Sequence, residues 1–230
     1  MDVIKQLEGF PEQASSHIVV IGNFDGLHKG HQSLITAAKE KSKEYDCQTL
    51  MLTFEPHPRR LFRPDDPSFR ITPYDIKIKK LNHFGLDYVV SLPFDWEFAS
   101  QSAESFVNTI LIETLKPKLV MVGEDFCFGQ LRKGTPQLMK DMGLNVKTMA
   151  PENSSNGEKY SSSKVRQLLR QGLISEANNI LGWKWEIKGT VVKGDQRGRE
   201  LGYPTANIPL GETLHPAYGI YACHVQVEGE

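Results

Sequence analysis

The sequence predicts an α/β protein built on a mostly parallel sheet with helices on both faces. Short apolar runs, each about the length of a buried strand, alternate with helix-length segments through most of the chain. Polar motifs follow these runs or stand at helix starts, and parallel α/β sheets bind ligands beyond the carboxyl ends of their strands. A chain of 230 residues is long enough for one large domain, or for one domain and part of another.

The individual elements follow from these runs and their punctuation. Thr72 and Thr135 each precede a proline, which favours a capped helix start, while Gly85 and Gly143 favour a helix end. Apolar runs predict strands over residues 18–24, 48–54, 88–92, 118–122 and 144–149. Helices are predicted over residues 32–45, 72–85, 102–115, 135–143, 162–171 and 175–181.

A different pattern follows Trp185. Residues 186–193 and 220–227 are typical of antiparallel strands and are separated by glycine-rich turns. The polar stretch 151–157 is predicted to be a mobile loop. We therefore expect a first domain over residues 1–184 and a second, smaller region over residues 185–230.

The composition argues against several classes of protein. A net charge of −1 gives no general attraction to nucleic acid or to an acidic membrane. Three scattered cysteines match no metal-binding spacing and cannot all pair with one another, which favours a reducing compartment. No apolar run has the length of a signal peptide core or a membrane span. We expect a cytoplasmic protein that binds neither nucleic acid nor membranes.

The most informative stretch covers residues 18–31. An apolar run ends in a turn of glycine, asparagine and aspartate, and His28 and His31 then stand on one face of a predicted first helical turn. The first N–H groups of a helix lack helical partners and attract anions. Gly30, between the histidines, allows a phosphate to approach the backbone. The stretch predicts a phosphate site.

This stretch resembles a known signature. Residues 22–31 (GNFDGLHKGH) are similar to the G-x-F-D-x-x-H-x-G-H motif of the HxGH nucleotidyltransferases. Residues 53–59 (TFEPHPR), 122–129 (VGEDFCFG) and 160–166 (YSSSKVR) resemble, in that order, the FMN adenylyltransferase half of bacterial bifunctional riboflavin kinase/FAD synthetases. Residues 198–207 (GRELGYPTAN) resemble the start of the riboflavin kinase half. The resemblance implies a Rossmann-like nucleotidyltransferase domain followed by a partial antiparallel β-barrel.

The reaction implied by the resemblance transfers AMP from ATP to FMN and releases pyrophosphate. An FMN phosphate is largely dianionic at neutral pH, so positioning and charge stabilisation matter more than a general base. Mg²⁺ is expected to arrive with ATP, and no metal site built by the protein alone is expected. The candidate catalytic residues are His28, His31 and Arg166, and the candidate ATP-binding residues are Gly22, Asn23, Phe24, Asp25, Gly30, Ser161, Ser162 and Ser163.

The flavin is expected to contact two other sequence motifs. The prolines of residues 55–59 stiffen a loop, from which an arginine can reach the FMN phosphate. Cys127 stands where the family commonly has arginine, so one flavin or phosphate contact is expected to differ. The candidate FMN-binding residues are Glu55, Pro56, His57, Pro58, Arg59, Asp125, Phe126 and Phe128.

The second region is expected to be an incomplete riboflavin kinase domain. By resemblance, its ATP and Mg²⁺ contacts are assigned to Gly194, Arg199, Thr205 and Asn207. The family's longer form uses riboflavin as a further substrate. We expect no riboflavin kinase activity from this chain, and we expect the first domain to fold and act without the second region.

Two alternatives remain open. The chain could be another HxGH transferase, acting on pantetheine phosphate or nicotinamide mononucleotide, although residues 198–207 argue against this. It could instead be a non-catalytic flavin sensor or an RNA-binding regulator. The intact His28, His31, Ser162 and Arg166, and the lack of base-stacking aromatics within a basic stripe, argue against that class.

Overall fold

A computed structural model describes residues 1–7, 10, 17–153, 157–194, 202–203 and 205–227. Within these ranges the strands form one parallel sheet in the order β1-β4-β3-β2-β5-β6. The chain runs outward from β2 through β3 to β4 and then returns to place β5 on the other side of β2. The strands are β1 (Asp2–Ile4), β2 (His17–Ile21), β3 (Gln48–Glu55), β4 (Tyr88–Pro93), β5 (Leu119–Gly123) and β6 (Val146–Met149).

Two short helices, over residues 58–62 and 96–99, were not predicted. The predicted helices lie close to their predicted positions. The exception is the region 102–115, where a short α-helix continues as a π-helix over Phe106–Leu115. A short 3₁₀ turn covers Gln130–Arg132. The α-helices are α1 (Lys29–Glu44), α2 (Pro58–Phe62), α3 (Tyr74–Asn82), α4 (Trp96–Ala99), α5 (Ala103–Ser105), α6 (Pro136–Asp141), α7 (Ser162–Arg170) and α8 (Ile174–Leu181).

Both faces of the sheet are buried. Alternate residues of β2 point to opposite sides, so Val19 and Ile21 join one apolar cluster and Ile18 and Val20 join the other. The first cluster is covered by the π-helix and the second by α1. This arrangement confirms the predicted parallel sheet with helices on both faces, and it explains why the strands are continuous apolar runs.

Two local predictions were wrong. Strand β2 ends at Ile21, three residues early, and Phe24, which was predicted to end it, has a φ of 51° outside the strand region. Thr72 does not cap α3, whose N-cap is Pro73 without a side-chain hydrogen bond. The Thr72 hydroxyl instead accepts from the Gly26 N–H at 2.8 Å. Thr135 does cap α6, accepting from the Leu138 N–H at 3.3 Å.

The antiparallel strands predicted after Trp185 do not form in the described part of the chain. One isolated antiparallel bridge joins Val192 to Asn207, while Ile220 and Val225 are exposed. A barrel strand needs partners on both sides for its backbone groups, and this segment lacks them here. Residues 154–156 of the predicted mobile loop lie outside the described residues.

Part of the second region nevertheless packs on the first domain. Leu214 is fully buried in a third apolar cluster with Ile71, Val165 and Leu169. This packing argues against the expected independence of the two regions, because removing Leu214 exposes apolar surface of the first domain. No helix among the described residues is long and apolar enough to cross a membrane.

His17, at the start of β2, is buried without hydrogen-bond partners on either ring nitrogen among the described atoms. Its ring packs against Phe10 and Tyr88 at centroid distances of 5.7 and 5.6 Å. Burial lowers the pKa of His17 below its usual value, although Asp87 opposes the shift. The ring is therefore neutral in the folded protein at a pH where an unfolded chain protonates it.

We expect acidification to destabilise the protein partly through His17. As pH falls below about 6.5, the unfolded state takes up a proton that the folded state does not, so the free energy of unfolding falls. His17→Leu should flatten this dependence in urea titrations between about pH 7 and pH 5. His224→Leu, which changes an exposed histidine, is the control. An unchanged slope for His17→Leu would contradict the assignment.

Candidate active site

A cleft of about 1120 Å³ opens at the carboxyl ends of the strands. Residues at or next to the carboxyl ends of four strands form part of its floor: Ile21 of β2, Phe54 of β3, Gly123 of β5 and Met149 of β6 all line it. The cleft therefore spans the point where the strand order reverses between β2 and β5. Open parallel α/β sheets bind ligands at such points.

His28 and His31 lie side by side at the start of α1 and line the cleft. The His28 Nδ1 accepts from the His31 N–H at 3.4 Å, and the two rings stack with centroids 3.7 Å apart. An added Cβ at Gly30 would lie 3.3 Å from the His28 ring. The structure thus brings the predicted pair together beside the unpaired N–H groups of a helix start.

Both imidazoles are uncharged at neutral pH in this structure. Burial lowers the pKa of His28 to about 4, although Asp25 opposes the shift. Burial also lowers the pKa of His31 well below its usual value, and His28 adds to the effect. Because the neutral His28 accepts at Nδ1, its proton is on Nε2. His28 can therefore donate from Nε2, and a nearby anion would favour protonation of the pair.

The turn between β2 and α1 supplies main-chain groups to the cleft. Gly22, Asn23 and Phe24 all line it. The Phe24 ring packs edge-on against His31 at 5.2 Å, and the Asn23 carbonyl accepts from the Thr53 hydroxyl at 3.4 Å. All three residues thus border the cleft, and their contact with the phosphates of ATP stays a prediction.

Asp25 lies behind this turn and does not line the cleft. Its carboxylate accepts from the Ile71 N–H at 3.1 Å, the Thr72 N–H at 2.9 Å and the Arg166 guanidinium at 2.7 Å. Burial alone raises the pKa of Asp25, but Arg166, Arg70 and the Thr72 N–H overcome it and hold the pKa below its usual value. The predicted contact of Asp25 with ATP is therefore corrected, since its oxygens already serve internal donors.

Arg166 was predicted to be catalytic, and the structure places it behind the cleft wall. Its Nη2 donates to Asp25, and its Nε donates to the Phe69 carbonyl at 2.9 Å. It does not line the cleft. In this structure Arg166 joins α7 to the turn that carries the histidines, and direct contact with phosphate stays a prediction.

The three serines at the start of α7 differ in their positions relative to the cleft. Ser161 and Ser162 line the cleft, whereas Ser163 is exposed and does not. The Ser161 hydroxyl caps α7 by accepting from the Lys164 N–H at 3.2 Å. The Ser162 hydroxyl donates to the Asp25 carbonyl at 2.8 Å. Ser163 is therefore corrected, because it points away from the proposed phosphate site.

Glu55 was predicted to contact FMN, but it belongs to a buried ion cluster. Arg70 donates to its two carboxylate oxygens at 2.8 and 3.1 Å, and the Lys77 ammonium lies 3.7 Å away. Burial lowers the pKa of Lys77 to about 8, with Arg70 adding to the shift and Glu55 opposing it. Neither Glu55 nor the exposed Pro56 lines the cleft, so both assignments are corrected.

The rest of that loop does reach the cleft. His57, Pro58 and Arg59 line it at the start of α2. Burial lowers the pKa of His57 to about 4, and its Nδ1 accepts from the Arg59 N–H at 3.1 Å. Arg59 pairs with Asp66 at 2.6 Å, so a flavin phosphate would compete with this carboxylate.

Aromatic side chains form another wall of the cleft. Phe126 and Phe128 stack with centroids 5.6 Å apart, and their contact with the flavin ring stays a prediction. Most of this wall was not predicted from the sequence, because its members follow different strands and show no common spacing. Trp96 and Phe62 are 64% and 55% exposed, and this unusual exposure of large apolar side chains marks them. The missed members are Phe54, Phe62, Phe94, Trp96, Phe98 and Phe106.

Asp125 lies at the mouth of the cleft and pairs with Lys159 at 2.7 Å. Both residues line the cleft, as does Cys127. Lys159 was not predicted as a site residue, because it follows the irregular loop after β6 and belongs to no helix or strand. The ion pair bridges the end of β5 and the loop before α7.

The kinase candidates Gly194, Thr205 and Asn207 do not line this cleft. Gly194 and Asn207 are neighbours, since an added Cβ at Gly194 would clash with the Asn207 side chain. Thr205 is exposed, and Arg199 lies outside the described residues. Among the residues described, no group of three or more His, Cys, Asp or Glu side chains could hold a metal ion.

A family model for FAD synthetase matches residues 10–164, which include the histidine turn and the cleft. The chain belongs to the FAD synthetase family. A second model, for riboflavin kinase, matches residues 181–230.

Curated relatives of the FAD synthetase family carry both functions in their names. The chain is 36% identical over 216 residues to the bifunctional riboflavin kinase/FMN adenylyltransferase of Escherichia coli K12, covering 93% of this chain and 69% of that protein. It is 37% identical over 224 residues to the protein of the same name from Bacillus subtilis 168, covering 95% and 70%.

A solved structure of similar fold supports the same architecture. It is a crystal structure of a macrolide-efflux protein from Streptococcus pneumoniae, with a TM-score of 0.81 and 33% sequence identity. The match covers 95% of this chain and 72% of that chain.

Asp25→Asn is expected to destabilise the FAD synthetase fold strongly. Removing one partner from a buried ion pair typically costs about 3–5 kcal/mol, because here Arg166 is left without its counter-charge. Urea denaturation measures the loss. Asp66→Asn, which breaks the more exposed pair with Arg59, should have a smaller effect. Equal losses for the two variants would show that Asp25 does not organise the site.

Proposed function

We propose that this protein transfers AMP from ATP to FMN, forming FAD and pyrophosphate. The observation that carries the proposal is the division of one cleft into a polar wall and an aromatic wall. His28, His31 and the start of α1 form the first, and Phe126, Phe128 and Trp96 contribute to the second. A polyphosphate suits the polar wall, and a flat apolar ring suits the aromatic wall.

The polar wall suits the triphosphate of ATP. The start of a helix offers unpaired N–H groups, and Gly30 leaves room for phosphate oxygens to approach them. Beneath the wall, three largely buried cations, Arg70, Lys77 and Arg166, face the carboxylates of Asp25 and Glu55. A third carboxylate near Arg70, that of Glu212, is half exposed and screened by water. The resulting excess of buried positive charge favours an anion in the cleft.

The aromatic wall suits the isoalloxazine ring of FMN. Flat rings stack on aromatic side chains, and exposed Trp96 and Phe62 give such a ring a large apolar surface. Pro58 and Arg59 lie at the same cleft, so the FMN phosphate can meet a guanidinium while its ring remains on this wall. Cys127 supplies a thiol here instead of a further cation.

The chemistry needs charge stabilisation more than proton transfer. A phosphate oxygen of FMN forms a bond to the α-phosphorus of ATP, and the bond to the β-phosphate oxygen breaks with release of pyrophosphate. Negative charge grows on the transferring phosphate and the leaving group, and fixed donors aimed at that charge lower the barrier. His28 and His31 are placed to be such donors. Ser161 and Ser162 border the same cleft and form the second side of the cradle.

Mg²⁺ enters this proposal as part of the ATP substrate. Magnesium keeps several waters and is usually bound by substrate phosphates together with one or two carboxylates. The cleft offers main-chain and imidazole groups to the phosphates, which is consistent with metal held mainly by the nucleotide. We propose that the reaction requires Mg²⁺.

The second region is proposed to belong to a riboflavin kinase barrel that uses riboflavin and ATP. The riboflavin kinase match over residues 181–230 and the neighbouring Gly194 and Asn207 support this. Thr205 and Arg199 are proposed to join that site. We also propose a cytoplasmic location, supported by three free cysteines.

The direct test mixes the protein with ATP, Mg²⁺ and FMN and follows FAD by chromatography and by loss of flavin fluorescence. Stoichiometric FAD and pyrophosphate support the proposal, and activity should vanish with excess EDTA. Pantetheine phosphate and nicotinamide mononucleotide serve as competing acceptors. Turnover with either of these and none with FMN would replace the proposed acceptor.

His31→Ala is expected to reduce kcat for FAD formation by about a hundred-fold, the cost of losing one preorganised donor to a developing charge. Binding of FMN, measured by fluorescence titration, should change little because the aromatic wall remains. His83→Ala, at an exposed histidine beyond α3, is the matched control. Retention of more than half the native turnover by His31→Ala would remove the histidine from the mechanism.

A further inference from the structure

Residues 212–214 of the second region pair with Arg70 of the first domain. The Arg70 N–H donates to the Glu212 carbonyl at 3.2 Å, and the Leu214 N–H donates to the Arg70 carbonyl at 2.8 Å. The pairing is a parallel bridge between Arg70 and Thr213. We name residues 212–214 the strap. It lies outside the cleft.

The strap is fixed by packing as well as by backbone hydrogen bonds. Leu214 is fully buried in the cluster that includes Ile71, Val165 and Leu168. Beyond it, the Ala217 N–H donates to the Leu169 carbonyl at 3.0 Å. The strap therefore holds two parts of the first domain together: the segment around Arg70 and helix α7.

The segment held by the strap is also the segment that holds the candidate active site. The N–H groups of Ile71 and Thr72 donate to Asp25 at 3.1 and 2.9 Å. The Phe69 carbonyl receives the Arg166 Nε at 2.9 Å. Arg70 itself binds both carboxylate oxygens of Glu55. Residues 69–72 thus link the histidine turn, helix α7 and the carboxyl end of β3.

We propose that Leu214 and the strap are positioning elements of the adenylyl transfer site. By fixing residues 69–72, they hold Asp25 and the turn that carries His28 and His31. Leu214 does not line the cleft and is proposed to act through this segment. The inference rests on the proposed function, and it assigns the second region a role in the reaction of the first domain.

The physical reason is the precision that group transfer requires. A displacement of about 1 Å in the reacting groups costs up to about a hundred-fold in rate, even when its cause lies far from the chemistry. Removing the Leu214 side chain leaves a cavity beside Ile71, and the segment 69–72 gains freedom to shift. The histidines then lose alignment, while the aromatic wall that binds the flavin is unchanged.

The test uses Leu214→Ala in the full chain, assayed at a temperature where circular dichroism shows it folded. We expect kcat for FAD formation to fall about tenfold while KM for FMN changes less than about two-fold. Hydrogen exchange followed by mass spectrometry should show faster exchange at residues 71–72. Leu214→Met, which conserves volume, should restore both readouts. Val225→Ala, at an exposed position of the same region, is the control.

Each outcome decides the inference. Unchanged kcat in folded Leu214→Ala overturns it, and so does an equal rise of KM for FMN, which would indicate a general loss of structure. If Leu214→Ala does not fold, the milder Leu214→Val is held to the same criteria. If the native chain makes no FAD, the proposed function fails on its own. Exchange at residues 71–72 then decides the strap's role, which is rejected if protection is unchanged.

Discussion

The buried carboxylate of Asp25 is the interaction on which the rest of the site depends. Its two oxygens collect main-chain N–H groups from residues 71–72, the Thr72 hydroxyl and the Arg166 guanidinium. These donors come from parts of the chain that are far apart in sequence. A carboxylate removed from water is unfavourable unless such donors surround it. The requirement to satisfy this one group therefore fixes the turn, the segment around Arg70 and helix α7 relative to one another.

A second constraint follows from the charges next to Asp25. Arg70 and Lys77 are almost fully buried and share Glu55, whose strand ends at the cleft. Burial lowers the pKa of Lys77, and the nearby Arg70 adds to the shift. A buried cluster of cations favours an anion nearby, which supports the proposal that the cleft binds phosphate.

Much of the fold could be predicted from the sequence, because strands buried on both faces are continuous apolar runs. The helix starts at His28 and Ser161 could also be predicted, since local caps have local signatures. Thr72 could not be predicted correctly in this way. Its place before Pro73 is typical of a helix cap, yet its hydroxyl accepts from the Gly26 N–H and donates to Asp25. No local sequence pattern distinguishes these two uses of a threonine. The site was predicted only in part for the same reason. Arg70, Lys77 and Trp96 contribute to the site through contacts with residues that are distant in sequence.

The position of the strap in the chain has a consequence for biosynthesis. A ribosome delivers the polypeptide from its N-terminus, and domains generally begin to fold as they emerge. Strand β2 completes its pairing only after β5 has been synthesised, because Ile18 of β2 pairs with Leu119 of β5. The hydrogen bond between Arg70 and Leu214 forms later still, after Leu214 has left the ribosome. The nascent chain can thus form its sheet well before the strap fixes the turn that carries His28 and His31. Activity is therefore expected to appear later than secondary structure.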